Sequence, residues 1–402
     1  MDIFDKYSMQ MKRHERVLKM GTDPFGVRMG RLYSTTEAKV NGRRTILIGT
    51  NNYLGLTFHK QCRAAAIRAI ETKGTGTTGS RIANGTYGTH LELEHIIAGF
   101  LGRRSAMVFP TGYQANLGMI SGLAGAHDTI FVDADSHASI YDGCRLSGST
   151  IIRFKHNDPA DLDRRLTRHN GQGACKLIIV EGIYSMVGDT APLREFVEVK
   201  RRHGAFLLVD EAHSLGVMGA HGRGAGEEMD VEDDIDFVVG TFSKSLGGVG
   251  GFGASSHPKF DMLRFCARPY MYTASASPAT VASVSEAIGV IQRKPKLRRR
   301  LWKNAKRLYD GLAALGYDIC SQYSPVIALR MPSEELCFVA WNRLLELGVY
   351  VNLAVPPGTP NGLCLLRCSV SAAHTSEQID EVCRRFAQLA EELLEEQSRV
   401  VA

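Results

Sequence analysis

The sequence predicts an α/β chain: a large domain built on a mostly parallel sheet with helices on both faces, followed by a smaller C-terminal α+β domain. Three observations predict it. Short apolar or β-branched runs recur between residues 106 and 240. Helix-like segments separate several of them. Beyond about residue 280 the pattern changes, and longer helical stretches enclose three short strands.

In chain order, the runs are AMVF (106–109), TIFV (129–132), TIIRF (150–154), KLIIVE (176–181), FLLVD (206–210) and DFVVG (236–240). Such near-continuous apolar runs suit strands buried on both faces. Residues 160–169 and 193–203 read as two of the intervening helices. A single helical stretch is expected over about 280–315, with others over 333–346 and 375–396. They enclose the strands PVIALRM, GVYVNL and LCLLRCSVS. Thr375 and Gln378 fit a capping box at the start of the last helix. Ile379, Val382, Phe386, Leu389 and Leu393 then recur on one face. The expected division is an N-terminal segment (1–45), a large domain (46–280) and a small C-terminal domain (281–402).

Composition narrows the function classes. A net charge of +6 over 402 residues is mild. It allows an anionic substrate but lacks the dense basic blocks of a nucleic-acid binder. RRHG (201–204) and KPKLRRR (294–300) read as solvated helix faces. No run approaches the ~18 apolar residues of a membrane span, and the N-terminus lacks the apolar core of a signal peptide. The nine cysteines contain no C-x-x-C pair, a reduced, cytoplasmic pattern. Cys364 and Cys368 read as core residues of a strand rather than metal ligands. Ile3, Phe4, Tyr7, Met11 and Leu18 approximate one helical face. Packing against a partner subunit is its ordinary reading, and a membrane surface the alternative.

Two glycine patterns are set aside. GTGTTG (74–79) matches G-x-G-x-x-G but follows a helical pattern, where the dinucleotide motif must follow a strand. GTGTTGSR resembles a P-loop but lacks its lysine.

Ligands of parallel sheets gather at the carboxyl ends of the strands. There the sequence places Asp210 and His213 after FLLVD, His137 after TIFVDADS, and Lys244 after DFVVGTFS. TGYQANLG offers the helix-start amides of Gly112 and Tyr113 to an anion. Taken singly, Asp210 reads as a turn cap, the histidines as satisfied structural groups and Lys244 as a surface lysine. Jointly they fit pyridoxal phosphate. Its aldehyde takes a lysine, its ring nitrogen a carboxylate and its phosphate an anion cradle. Thr241 and Ser243 would add hydroxyls to that cradle. Arg367, inside the apolar run LCLLRCSV, reads either as a clamp for a substrate carboxylate or as half of an internal salt bridge.

From about residue 20 to 395 the sequence resembles the α-oxoamine synthases, the fold-type I pyridoxal phosphate transferases that condense an amino acid with an acyl thioester. NNYLGL (51–56), TGSRIANGTYGTHLELE (78–94), DADSHASIYDG (133–143), EGIYSMVGDTAPL (181–193), VDEAHSLG (209–216), GTFSKS (240–245) and RPYMYTASASP (268–278) carry the resemblance. TGYQANLG, SHASIYDGCR, DFVVGTFSKS and LLRCSVSAAHT point to the branch that uses L-serine and a long-chain acyl-CoA, or an acyl carrier protein. The resemblance implies that Lys244 anchors the cofactor, Asp210 meets its ring nitrogen, His213 its phenolic oxygen, and His137 stacks on its ring. It gives the phosphate to Gly112, Tyr113, Thr241 and Ser243. It implies a homodimer in which Thr273 reaches the neighbouring phosphate, and substrate binding by Asn52 and Arg367. It implies a cytoplasmic enzyme, with peripheral contact to the inner membrane as an alternative. Two positions depart from the serine-using pattern: Val355 stands where an arginine precedes Pro-Pro, and Asn51 where a tyrosine is expected. Both bear on the amino acid used, and glycine- or alanine-using sister reactions remain as alternatives.

Overall fold

The computed structural model describes residues 2–169 and 174–401, with side chains through residue 393. The chain divides into two compact units. One comprises Asn52–Ser185 and Asp189–Arg300. The other comprises Met1–Asn51, Met186–Gly188 and Leu301–Ala402.

The first unit is built on seven strands: β1 (Ser105–Phe109), β2 (Thr129–Asp133), β3 (Thr150–Phe154), β4 (Lys176–Glu181), β5 (Phe206–Asp210), β6 (Phe237–Thr241) and β7 (Gly251–Ser255). Their order is β1-β7-β6-β5-β4-β2-β3. The pairs β2–β3, β2–β4, β4–β5 and β5–β6 are parallel. β7 runs antiparallel to both β6 and β1. Six strands coincide with the apolar runs of the sequence. The seventh, GFGAS, carries two glycines and gave no strand signal, because strand propensity is carried by the β-branched and aromatic side chains it mostly lacks. Those glycines let the helix Gly112–Leu123 settle on the strand. A Cβ at Gly251 would lie 2.6 Å from the Gly112 Cα, and one at Gly253 2.1 Å from the Met119 Sδ. The helix packs through Ala115, Met119 and Ile120 into a core shared with Met107, Phe109, Ile130, Val132, Leu208 and Val239.

The expected single helix over 280–315 is two, Pro278–Arg293 and Lys296–Ala314. Pro295 lacks an N–H and drives Lys294 out of helical geometry, to φ −126° and ψ 62°. The expected boundary at 280 falls inside the first of these helices. That helix packs along the helix Lys60–Lys73, so the unit extends to Arg300. One basic run also differs from its reading as a solvated face. Arg298, in KPKLRRR, is only 7% exposed. Its guanidinium donates to the carbonyls of Ala220 and Ile291, which removes the cost of burying it. Its neighbours Arg299 and Arg300 are exposed.

In the second unit, Met29–Leu32, Glu37–Val40 and Arg43–Leu47 form an antiparallel set, which Val349–Tyr350 joins in parallel. A separate three-stranded sheet sets Cys364–Ser369 between Val326–Met331 and Asn352–Ala354. Every residue of Cys364–Ser369 is buried, including Cys364 and Cys368. The capping box forms: Gln378 N donates to Thr375 Oγ1 at 3.2 Å and Thr375 N to Gln378 Oε1 at 3.1 Å. Ile379, Val382, Phe386 and Leu389 are buried. Ile3, Phe4, Tyr7, Met11 and Leu18 remain exposed, and Val17 is the buried residue of the helix Ser8–Met20.

Candidate active site

The carboxyl ends of β2, β4, β5 and β6 and the start of the helix Gly112–Leu123 enclose a cavity of about 310 Å³. Gly112, Tyr113, His137, Asp210, His213, Thr241, Ser243 and Lys244 all line it. Eight residues chosen from strand ends and one helix start therefore meet in one space.

Each wall has a local cause. Thr111 caps the helix Gly112–Leu123, its hydroxyl accepting the Gln114 amide at 3.1 Å. The first helical hydrogen bond runs from Ala115 N to Thr111 O at 3.0 Å. The amides of Gly112 and Tyr113 precede it and belong to the unpaired first turn, where the helix dipole favours an anion. Thr241 stands against this turn: a Cβ at Gly112 would be 2.7 Å from Thr241 Oγ1, so only glycine permits the approach. Thr241 Oγ1 also lies 2.9 Å from Ser243 Oγ. Two amides and two hydroxyls thus form an anion cradle beside Lys244.

Asp210 ends the central strand β5 and is 4% exposed. Its Oδ1 accepts the Ala212 amide at 2.9 Å, and its Oδ2 accepts Asn116 Nδ2 at 2.7 Å. Three residues on, His213 Nδ1 lies 2.7 Å from the hydroxyl of the fully buried Tyr53. His137 caps the helix Ala138–Ser147, its Nδ1 accepting the Ser139 amide at 3.2 Å. Burial lowers its pKa, Lys244 adds to the effect, and the charges of Asp210 and Asp142 oppose it. The neutral imidazole is therefore favoured, and the residue lines the cavity. Glu181, in register with Asp210 on β4, also lines the cavity. Burial, and then the Asp210 charge, hold its pKa well above the usual carboxylate range. Its Oε1 accepts the His137 amide at 2.6 Å.

Three candidates do not line this cavity. Thr273 accepts Gln114 Nε2 at 3.2 Å. Asn52 Nδ2 donates to Thr57 Oγ1 at 2.7 Å. Arg367, in the second unit and 5% exposed, donates from Nη1 to Ser369 Oγ at 2.9 Å and Asn51 Oδ1 at 3.2 Å. The sequence reading missed Asn116, Ser139, Glu181 and Tyr53. Asn116 had a usable signal: it lies four residues after Gly112, on the same helical face.

With this geometry established, comparison with known proteins decides the family. The model of the aminotransferase class I and II family matches residues 43–386. The chain belongs to this family. Within it the chain belongs to the α-oxoamine synthases. It is 55% identical over 389 residues to a serine palmitoyltransferase of Caulobacter vibrioides, covering 97% of this chain and 96% of that protein. It is 39% identical over 355 residues to an 8-amino-7-oxononanoate synthase of Geobacter sulfurreducens, covering 88% and 90%. A high-resolution structure of "SPT with PLP internal aldimine" matches with a TM-score of 0.95 at 46% identity, covering 98% of this chain and 99% of that one. The α-oxoamine synthase resemblance and the fold-type I architecture expected from the sequence thus hold, β7 being the antiparallel exception in the sheet.

Proposed function

We propose that this α-oxoamine synthase is a serine palmitoyltransferase: it condenses L-serine with a long-chain acyl thioester, with loss of carbon dioxide, to give 3-ketodihydrosphingosine, the first step of sphingolipid synthesis. One observation carries the reading. Lys244, Asp210, His137 and His213 share a single cavity with a helix-start anion cradle. The residues fit pyridoxal phosphate: the close Gly112–Thr241 approach sets helix-start amides beside the Thr241 hydroxyl, a donor set that suits a phosphate. When bound, the cofactor supplies an electron sink for the carbanion generated at the amino acid's α-carbon.

The chain's own groups do the rest. Lys244 Nζ would hold the cofactor covalently and, when free, would remove the α-proton and later return one. Asp210, whose carboxyl oxygens accept two N–H donors, would pair with the ring nitrogen and keep it protonated. His137, whose pKa is lowered chiefly by burial, would stack on the ring and help orient the bond to be broken. His213 meets the phenolic oxygen. Gly112, Tyr113, Thr241 and Ser243 bind the phosphate. Arg367 takes the serine carboxylate, with Asn51 and Ser369 fixing its guanidinium. Asn52 is a second proposed substrate-binding residue. The active form is a homodimer in which Thr273 serves the neighbouring phosphate.

Val355 and Asn51 favour one second reading, a sister condensation using glycine or alanine. Mass spectrometry of the products from serine, alanine and glycine, each with a series of acyl thioesters, tests both. The 3-keto-2-amino alcohol from serine and palmitoyl-CoA is expected to dominate. A dominant product from glycine or alanine would replace the first reading with the second.

A further inference from the structure

In the cavity wall a hydrogen-bond chain joins two of its functional groups. Asn116 is 3% exposed and sits one turn into the helix that carries the anion cradle. Its Nδ2 donates to Asp210 Oδ2 at 2.7 Å and to Ser139 Oγ at 2.9 Å. An amide nitrogen has two hydrogens, and both are used. Ser139 Oγ, having accepted from Asn116, turns its own hydrogen toward His137 Nδ1, 2.7 Å away. The Ser139 amide donates to the same Nδ1 at 3.2 Å. Nδ1 is thereby an acceptor only, which leaves the imidazole hydrogen on Nε2.

The orientation of Asn116 is not arbitrary. Reversing the amide would set Oδ1 against the Asp210 carboxylate. In the observed orientation Oδ1 is buried without a hydrogen-bond partner among the described residues. A buried, unsatisfied carbonyl is costly. The arrangement sacrifices that oxygen and keeps both donors where they are. Leucine has nearly the same shape and would carry no such cost, so packing does not explain asparagine here.

We propose that Asn116 is a positioning residue that, through Ser139, couples the plane of the Asp210 carboxylate to the tautomer of His137. It acts on two groups that would address the cofactor ring: Asp210 at the ring nitrogen and His137 at a ring face. Asp210 needs a fixed plane so that one lone pair faces the ring nitrogen. His137 needs Nδ1 occupied so that its ring stays neutral and flat against its neighbour. The charged groups facing His137 are Asp210, Lys244 and Asp142, while Glu181 holds its amide. The inference rests on the cofactor reading given above.

The test uses Asn116→Leu, Asn116→Asp and Ser139→Ala in the full chain. Pyridoxal phosphate affinity is measured by titrating apoprotein, and the visible band of the bound cofactor is followed against pH. Loss of one charge-assisted hydrogen bond predicts affinity about tenfold weaker in Asn116→Leu. Asn116→Asp places a second carboxyl beside Asp210, so its visible band should titrate at a pH shifted by about one unit from wild type. Ser139→Ala should leave affinity within about threefold but shift the pH profile of kcat, with serine KM unchanged, because it removes the hydroxyl at His137 Nδ1 and leaves the Asn116–Asp210 hydrogen bond in place. If all variants that fold match wild type in affinity and in titration, the coupling is overturned. If an Asn116 variant fails to fold, Ser139→Ala alone decides by its kcat profile. If wild-type protein itself develops no visible band with pyridoxal phosphate, the cofactor reading fails instead, and the two failures are distinct.

Discussion

His156 should make stability depend on alkaline pH. It follows β3, and its ring lies between two carboxylates: Nδ1 is 2.8 Å from Asp133 Oδ1 and Nε2 is 2.7 Å from Asp189 Oδ2. Asp133 ends β2, and Asp189 lies in the loop beyond β4. Tyr184 stands edge-on to the ring, centroids 4.4 Å apart. Burial alone would lower the imidazole pKa. The two carboxylates outweigh it and raise the value from 6.5 to about 10. The folded protein therefore holds this proton more tightly than the unfolded chain. The resulting stabilisation is complete below about pH 6.5, declines above it, and is lost as pH passes about 10. At about 1.4 kcal/mol per pH unit, the ceiling is ~5 kcal/mol. The side chain keeps 22% of its surface exposed, and screening through that opening reduces the expected value to ~2 kcal/mol. The perturbation is His156→Gln. Urea midpoints of the apoproteins are compared at about pH 6 and about pH 10, so that titrations shared by both proteins cancel. Wild type should exceed the variant by ~2 kcal/mol at the lower pH, and the gap should close at the higher. A gap of equal size at both pH values would show that His156 is not a charged tie between these loops.

Four other outcomes are expected. Lys244→Ala should abolish turnover and any borohydride-trappable link to pyridoxal phosphate; a retained link would contradict the anchor. Arg367→Ala should raise the KM for serine far more than that for the thioester, and equal effects would count against the carboxylate clamp. Gly251→Ala would set a Cβ 2.6 Å from the Gly112 Cα, a backbone atom that cannot move alone. Overpacking there should weaken cofactor affinity at least about fivefold with the far-ultraviolet circular dichroism unchanged. Glu181→Gln should leave affinity and kcat within about threefold, because burial and the Asp210 charge raise the Glu181 pKa and disfavour its charged form; a hundredfold loss would mean that its charge is used.

Much of this was legible in the sequence, for a physical reason. Strands buried on both faces must be apolar, so KLIIVE, FLLVD and DFVVG announce themselves, and polar residues at their ends stand out. Asp210, His213 and Lys244 were visible for that reason. β7 was not, because the property that matters there is the absence of side chains: Gly251 and Gly253 leave room for a helix. The break at Pro295 carried a local signal that the apolar periodicity on either side obscured. Asn116 was hidden because its partners, Asp210 and Ser139, are distant in sequence and meet it only when its helix packs against the sheet and the next helix. Arg298 was misread because a basic run says nothing of which carbonyls will come to meet it.

The strand order explains why these residues work as a set. β5 is central, with β4 on one side and β6 on the other. Neighbouring strands lie about 4.8 Å apart, so groups leaving their carboxyl ends converge within a few ångströms. Glu181, Asp210 and the Thr241–Lys244 turn are therefore forced together by backbone pairing alone. That proximity would be self-defeating if both acids were ionised, since a phosphate brings further negative charge to the same space. The structure separates their roles by environment. Asp210 receives two N–H donors, whereas Glu181 is buried and feels Asp210 as a like charge. Asp210 thus stands among N–H donors, while burial and the Asp210 charge disfavour a charge on Glu181, whose Oε1 holds the His137 amide. The division needs no added charge and no movement; it follows from which strand end received the asparagine.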